Sequence, residues 1–178
     1  IGTNKERGFT LVELLVVMSI IGFLSSVIYS TLGSARAKAR NAYTLSMVSQ
    51  YMKAQEVSIG DTGGYLYSST QPTWMCLGAV PNNGSKCWEG SYSENAELNT
   101  AIDKYIKNHP NPNPTTVMWA GTAYKGSLYI CNVGSVSAGC TDFYLYYWLE
   151  NTSSCPIGPL EATTLNGNTA LCLIRKKI

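Results

Sequence analysis

"RGFTLVELLVVMSIIG", residues 7–22, decides how the rest of the chain is read. From Leu11 to Ile21 it is apolar except for Glu13 and Ser19. An acidic residue at the centre of a membrane helix costs roughly 2.5–3.5 kcal/mol, so Glu13 needs either a partner or a place at the interface. Outward from this stretch the apolar block continues to Leu32, and no proline occurs before Pro72. Gly22 and Gly33 are the only glycines between Phe9 and Gly60. At ~1.5 Å per residue, residues 9–32 span about 36 Å, enough to cross a hydrocarbon core of ~30 Å. The spacing predicts one long helix over 9–59, with 9–32 as its membrane segment.

After Leu32 the pattern changes. Ala42, Leu45, Val48, Met52 and Ile59 recur at steps near three and four, with charges and amides between them. That is an amphipathic helix with one apolar stripe, which should lie on a sheet. "GDTGG" (60–64) stops it. Short strand-like pieces follow at 65–68, 73–78 and 86–92, and "PNNGS" (81–85) predicts a hairpin between the last two. Residues 94–107 place Leu98, Ile102, Tyr105 and Ile106 on one helical face, with Ser91 and Glu94 as an expected capping box. "HPNPNP" (109–114), with His109 at the helix end, reads as a semi-extended linker. Further strands are expected at 116–124, 127–133 and 142–149, with Gly126 in a turn. The stretch from Asn151 reads as a loop and a final strand, "TALCLIRK". The sum is α+β: a long helix against an antiparallel sheet of about three to five strands. Three segments result: 1–8, the helix 9–59, and a head 60–178.

Composition narrows the function. The net charge is +2 and only 13% of residues are charged, against an electrostatically driven nucleic-acid binder. An apolar fraction of 45% argues against disorder. The six cysteines, Cys76, Cys87, Cys131, Cys140, Cys155 and Cys172, all follow the apolar block. None forms C-x-x-C, and one histidine is too few for the usual Cys/His zinc spacing. An even count beside an anchor reads as disulfides in an oxidising compartment. Six cysteines allow fifteen connectivities. Sequential neighbours are favoured, because each such pair brackets a turn-rich stretch; free buried thiols are the alternative. No nucleophile–base arrangement, phosphate loop or carboxylate cluster supports an enzyme, and no cofactor or metal is implied.

"KERGFTLVELLVVMSIIGFLSS" (5–26) resembles the start of type IV pilins and pseudopilins. In that family a basic leader ends in Gly, a membrane-embedded prepilin peptidase cuts after it, and the new N-terminal amine, usually on Phe, is methylated. The resemblance implies a leader 1–8 charged through Lys5 and Arg7, cleavage between Gly8 and Phe9, and N-methylation of Phe9. It implies assembly through Phe9 and Glu13. The close match covers about residues 5–40. "SSVIYSTLGSARAKARNA" (25–42) and "YLYYWLEN" (144–151) are also similar to pilins of bacteria of the candidate-phyla type. The Cys155–Cys172 interval resembles the disulfide-bounded C-terminal region of many pilins. Two departures stand out. The leader begins at Ile1 without methionine, and many pilins carry a helix proline where this chain has Ser30.

The function so implied is a structural subunit of a type IV pilus-like filament. It is inserted as a single-pass precursor in the cytoplasmic membrane and polymerised to the cell surface for adhesion, motility or DNA uptake. The implied partners are further copies of itself, the prepilin peptidase, the assembly platform, and membrane lipid before assembly. Glu13 would specify the stagger by meeting a neighbour's Phe9 ammonium, both being costly unpaired in lipid. A snorkelling interfacial acid is the alternative. A pseudopilin of a secretion or competence machine and a non-polymerising membrane-anchored binding domain are the rival readings. Arg36, Lys38 and Arg40 are expected at lipid headgroups or in solvent. "IRKK" (174–177) is expected to be a solvated end, with contact to DNA or an acidic surface as the unsupported alternative. Asn83 and Asn151 lie in N-x-S/T sequons.

Overall fold

A computed structural model describes residues 9–70, 73–78, 86–88, 92–107, 117–119, 122–124, 126–157 and 160–178. One helix, α1 (Leu11–Thr62), passes through two compact units, residues 1–36 and 37–178. The second compact unit begins at Ala37, within the helix.

In the first unit α1 is exposed along its whole length, and it is long and apolar enough to cross a membrane. Four of its serine hydroxyls are satisfied within the helix. Ser19, Ser26, Ser30 and Ser34 donate to the carbonyls of Val16, Phe23, Val27 and Thr31 at 2.7–2.9 Å. Such back-bonding suits a hydrocarbon surround, which offers no water to a side-chain hydroxyl.

In the second unit α1 buries Thr44, Met47, Val48, Tyr51, Met52, Ala54, Gln55 and Ser58. The expected stripe is displaced: Ala42 is exposed and Leu45 and Ile59 are half-buried. The displacement follows from polar members, because Gln55 faces inward to accept from the Leu66 N–H at 2.8 Å. The helix ends at Thr62, three residues beyond the expected end. Gly63, at φ +78°, donates to the Ile59 carbonyl at 2.9 Å and closes a left-handed C-cap that only glycine adopts without strain.

The main sheet has strands β1 (Met75–Leu77), β6 (Ser127–Ser135), β7 (Gly139–Glu150), β8 (Leu160–Asn166) and β9 (Thr169–Lys177). Its order is β1-β6-β7-β9-β8, antiparallel throughout. A smaller sheet, order β3-β2-β5-β4, comprises β2 (Lys86–Trp88), β3 (Tyr92–Ser93), β4 (Val117–Trp119) and β5 (Thr122–Tyr124). The main sheet is covered on both faces. Leu145, Tyr147, Leu149, Cys172 and Ile174 join Met47, Val48 and Tyr51 of α1 in one core. Leu128 and Trp148 face the other way, into a second core with Cys87 and Tyr124 of the smaller sheet. Tyr124 stacks on Trp148 with centroids 4.4 Å apart.

Several expected elements are revised. Residues 65–68 make only an isolated bridge, Tyr65 to Cys140. No ladder joins 73–78 to 86–92 among the described residues: β1 completes the main sheet, β2 pairs with β3 and β5, and a disulfide links β1 to β2. The expected strand 116–124 is the hairpin β4–β5. The second helix, α2 (Ala96–Asp103), is shorter than 94–107, and its N-cap is Asn95, which accepts the Leu98 N–H at 2.8 Å. Ser91 of the expected Ser91–Glu94 box lies outside the described residues. β8 is an addition within the expected C-terminal loop. The "PNNGS" turn, the linker 109–114 with His109, and the Asn83 sequon lie outside the described residues.

Candidate functional site

The N-terminal entry is built by three residues. Phe9 is 88% exposed. Thr10 precedes the first helical residue and is its N-cap. The Glu13 carboxylate accepts the Thr10 N–H at 2.8 Å and the Thr10 hydroxyl at 2.9 Å, while the Glu13 N–H donates to the Thr10 hydroxyl at 3.2 Å. This reciprocal pattern is a capping box, and it satisfies donors that the first helical turn leaves without carbonyl partners. It also places negative charge where the helix dipole is positive. Both bonds fall on Glu13 Oε2. Oε1 accepts from nothing among the described residues and is open to a second donor. Thr10 was missed from the sequence, although T-x-x-E before an apolar run is the signal for such a box. Gly8 lies outside the described residues. Phe9 and Glu13 stand about one turn apart, with no hydrogen bond between them.

The six cysteines form three bridges between sequential neighbours: Cys76–Cys87, Cys131–Cys140 and Cys155–Cys172, with Cα separations of 5.7, 5.8 and 5.8 Å. The first ties the main sheet to the smaller one, the second spans the β6–β7 hairpin, and the third fastens the segment after β7 onto β9.

The basic residues are more engaged than their sequence suggested. The Arg40 guanidinium pairs with both oxygens of Glu150, and Asn41 bonds the Glu150 backbone through both amide atoms. Arg40 is therefore a clamp between α1 and β7, not a headgroup contact, and the carboxylate holds its pKa above the ordinary value. Arg175 makes two bonds to Asp142 at 2.9 and 3.0 Å and lies over Tyr144. Arg175, with help from Asn132 and against the effect of burial, holds Asp142 below its usual range. Lys176 is 3.7 Å from Glu56. The C-terminal basic run is thus largely paired within the fold, which removes its main claim as a DNA contact. Asn151 is exposed and left-handed, at φ 48°.

A long, exposed, apolar N-terminal helix leading into an antiparallel α+β unit is the architecture of type IV pilins. Residues 3–29 match the family model of the prokaryotic N-terminal methylation motif, so the chain carries a prepilin-type entry sequence. It is also similar to the "Type IV wide pilus major component PilA4" of Thermus thermophilus, at 35% identity over 75 residues. That match covers 42% of this chain and 56% of the relative, so the chain spans about half the length of the curated relative it matches. No solved structure matches it significantly. In motif and fold the chain is type IV pilin-like.

Proposed function

We propose that the chain is a structural subunit of a type IV pilus-like filament. On this reading it is a single-pass membrane precursor, cut between Gly8 and Phe9 by a prepilin peptidase, methylated on Phe9, and polymerised through its N-terminal helix at an assembly platform. Lipid surrounds the helix before assembly, and neighbouring helices surround it afterwards, on an extracellular filament. One observation carries this: the N-terminal methylation motif at residues 3–29 coincides with a helix whose apolar side chains are exposed all round. Such a surface, from Leu11 to Leu32, is stable only in lipid or against other helices. The likeness to a pilus major component supports the same reading.

The Glu13 carboxylate belongs to it as the register device. Its free Oε1 is available to a neighbour's Phe9 ammonium while Oε2 keeps the cap. A shorter pseudopilin fibre of a secretion or competence machine is the second reading, favoured by Ser30 standing where many pilins have proline. N-terminal sequencing and intact mass of the membrane-extracted protein test the proposal. A methylated Phe9 start is expected. A start at Ala35 or later identifies a conventional signal peptide and ends the filament reading.

A further inference from the structure

The second unit contains a cleft of about 730 Å³. That is within the range of small-molecule sites, roughly 300–1,000 Å³. Its walls come from the end of α1 (Ser58, Thr62), the following segment (Tyr65, Tyr67), one face of α2 and the β6–β7 turn. The walls are fixed by buried bonds. Gln55 holds the Leu66 N–H, the Tyr129 hydroxyl holds the Leu66 carbonyl, and Tyr65 and Cys140 exchange backbone bonds at 2.7 and 2.8 Å. Tyr65 packs edge-on against Phe143 with centroids 4.7 Å apart. The cleft is therefore preorganised.

Its chemistry is amphipathic. Tyr67 and Tyr105 are half-buried against the core and line the cleft, and neither hydroxyl has a partner among the described residues. Along α2, Glu97, Thr100, Ala101 and Lys104 face it at helical spacing. Thr100 and Ala101 are small and keep the middle of that face low. Glu97 receives the Ser68 hydroxyl, the Ser69 N–H and the Ser69 hydroxyl, all on Oε2, which leaves Oε1 as a free acceptor. Among the described residues Lys104 is the only cation lining the cleft; it is exposed and has no ion-pair partner there. Seven residues separate it from Glu97, about 10 Å along a helix.

We infer that this cleft binds an acidic saccharide of at least two linked rings, with the uronate carboxylate on Lys104. Tyrosine rings beside polar groups match the apolar faces and hydroxyl edges of a sugar. A fixed acceptor at one end and two amphoteric phenols match hydroxyls that both donate and accept. The unpaired ammonium selects a carboxylate at the other end. A purely apolar peptide would leave the Lys104 ammonium desolvated and unpaired. None of this depends on polymerisation.

The test is calorimetric titration of the full-length chain in detergent micelles with three probes: a galacturonic acid trisaccharide, a neutral galactose trisaccharide and a tri-aspartate peptide. Saturable binding of the uronate, weaker binding of the neutral sugar and none of the peptide are expected. Lys104→Gln should weaken the uronate by about tenfold, the loss of one charge-assisted bond, and leave the neutral sugar unchanged. Tyr67→Leu should weaken both sugars. Lys104 is exposed, so its variant should melt like the parent chain. Absence of saturable sugar binding, equal binding of the peptide, or an unchanged affinity in Lys104→Gln each overturns the inference.

Discussion

Replacing Glu13 in two ways separates the observed cap from the proposed pairing with a neighbour. In the structure one carboxylate oxygen closes the cap with Thr10 and the other is free. Glutamine keeps a carbonyl acceptor for the Thr10 N–H and so preserves the box, while removing the charge. Leucine removes both. Loss of an N-terminal cap costs about 1 kcal/mol, a small loss for a helix of 52 residues. Removing one member of a buried ion pair costs about 3–5 kcal/mol, mainly because the other charge is left in lipid. That is roughly 10²–10⁴ in the association constant of each added subunit. If Glu13 serves assembly, Glu13→Gln should lose filaments nearly as completely as Glu13→Leu. Thr10→Ala, which breaks the box and keeps the charge, should assemble close to normally.

Membrane insertion and cleavage should survive in all three variants. The proposed scissile bond precedes the substitutions, and leucine makes the helix more apolar. The assay is electron microscopy of sheared surface material beside a blot for the cleaved, membrane-resident chain. Abundant Glu13→Gln filaments would show that only the cap matters and would refute the pairing argument. Abundant Glu13→Leu filaments would dismiss both roles.

Three further outcomes rest on the second unit. Non-reducing peptide mapping should recover Cys76–Cys87, Cys131–Cys140 and Cys155–Cys172 with no free thiol, and opening the last bridge should cost roughly 3 kcal/mol, read as a lowered Tm. Asn95→Ala should cost about 1 kcal/mol in denaturant unfolding through loss of the α2 cap, with Asn95→Ser nearly neutral. Because Arg175 depresses Asp142, the folded state binds this proton less readily than the unfolded chain. Its contribution is therefore present above about pH 4 and is lost as pH falls through the depressed folded value. A Tm-versus-pH series should accordingly show a shallower acid limb for Asp142→Asn.

The long elements were legible because their burial is periodic or continuous. "DFYLYYWL" (142–149) reads as a strand without alternation, and the structure shows why: Leu145, Tyr147 and Leu149 enter one core and Trp148 the other. The smaller sheet was not legible. Its strands are two or three residues long, too short for any period, so β4 and β5 merged into one expected strand. The hairpin expected across "PNNGS" was a local inference from turn chemistry. Pairing was decided instead by the free edge of β6, which β1 occupies, while the bridge between Cys76 and Cys87 supplies the link that a ladder would have made. The stripe on α1 was misplaced by a few residues because hydrophobicity ignores Thr44, Gln55 and Ser58, which are buried with their hydrogen-bonding needs to be met inside.

The same motif stands before both helices. S/T-x-x-E occurs at Ser91–Glu94 and at Thr10–Glu13. Before α2 a better cap intervenes, since Asn95 sits one residue from the helix and its side chain reaches Leu98 directly. Before α1 no competing cap is found among the described residues, and the acid sits three residues past its threonine, where its charge meets the positive end of the helix. From the sequence, Glu13 reads as a cost in lipid and a matter for a neighbouring subunit alone. Yet a membrane helix has the same unpaired N–H groups at its start as any other, with less water to satisfy them. One carboxylate has two oxygens: Oε2 secures the cap within the chain, and Oε1 accepts from no donor among the described residues. An acid placed one turn earlier would precede the helix, and one placed a turn later would lie deeper in apolar surroundings with neither Thr10 nor the dipole to offset its charge. The cap thus accounts for an acid at position 13 from within the chain itself, and on the proposed reading assembly supplies the second donor.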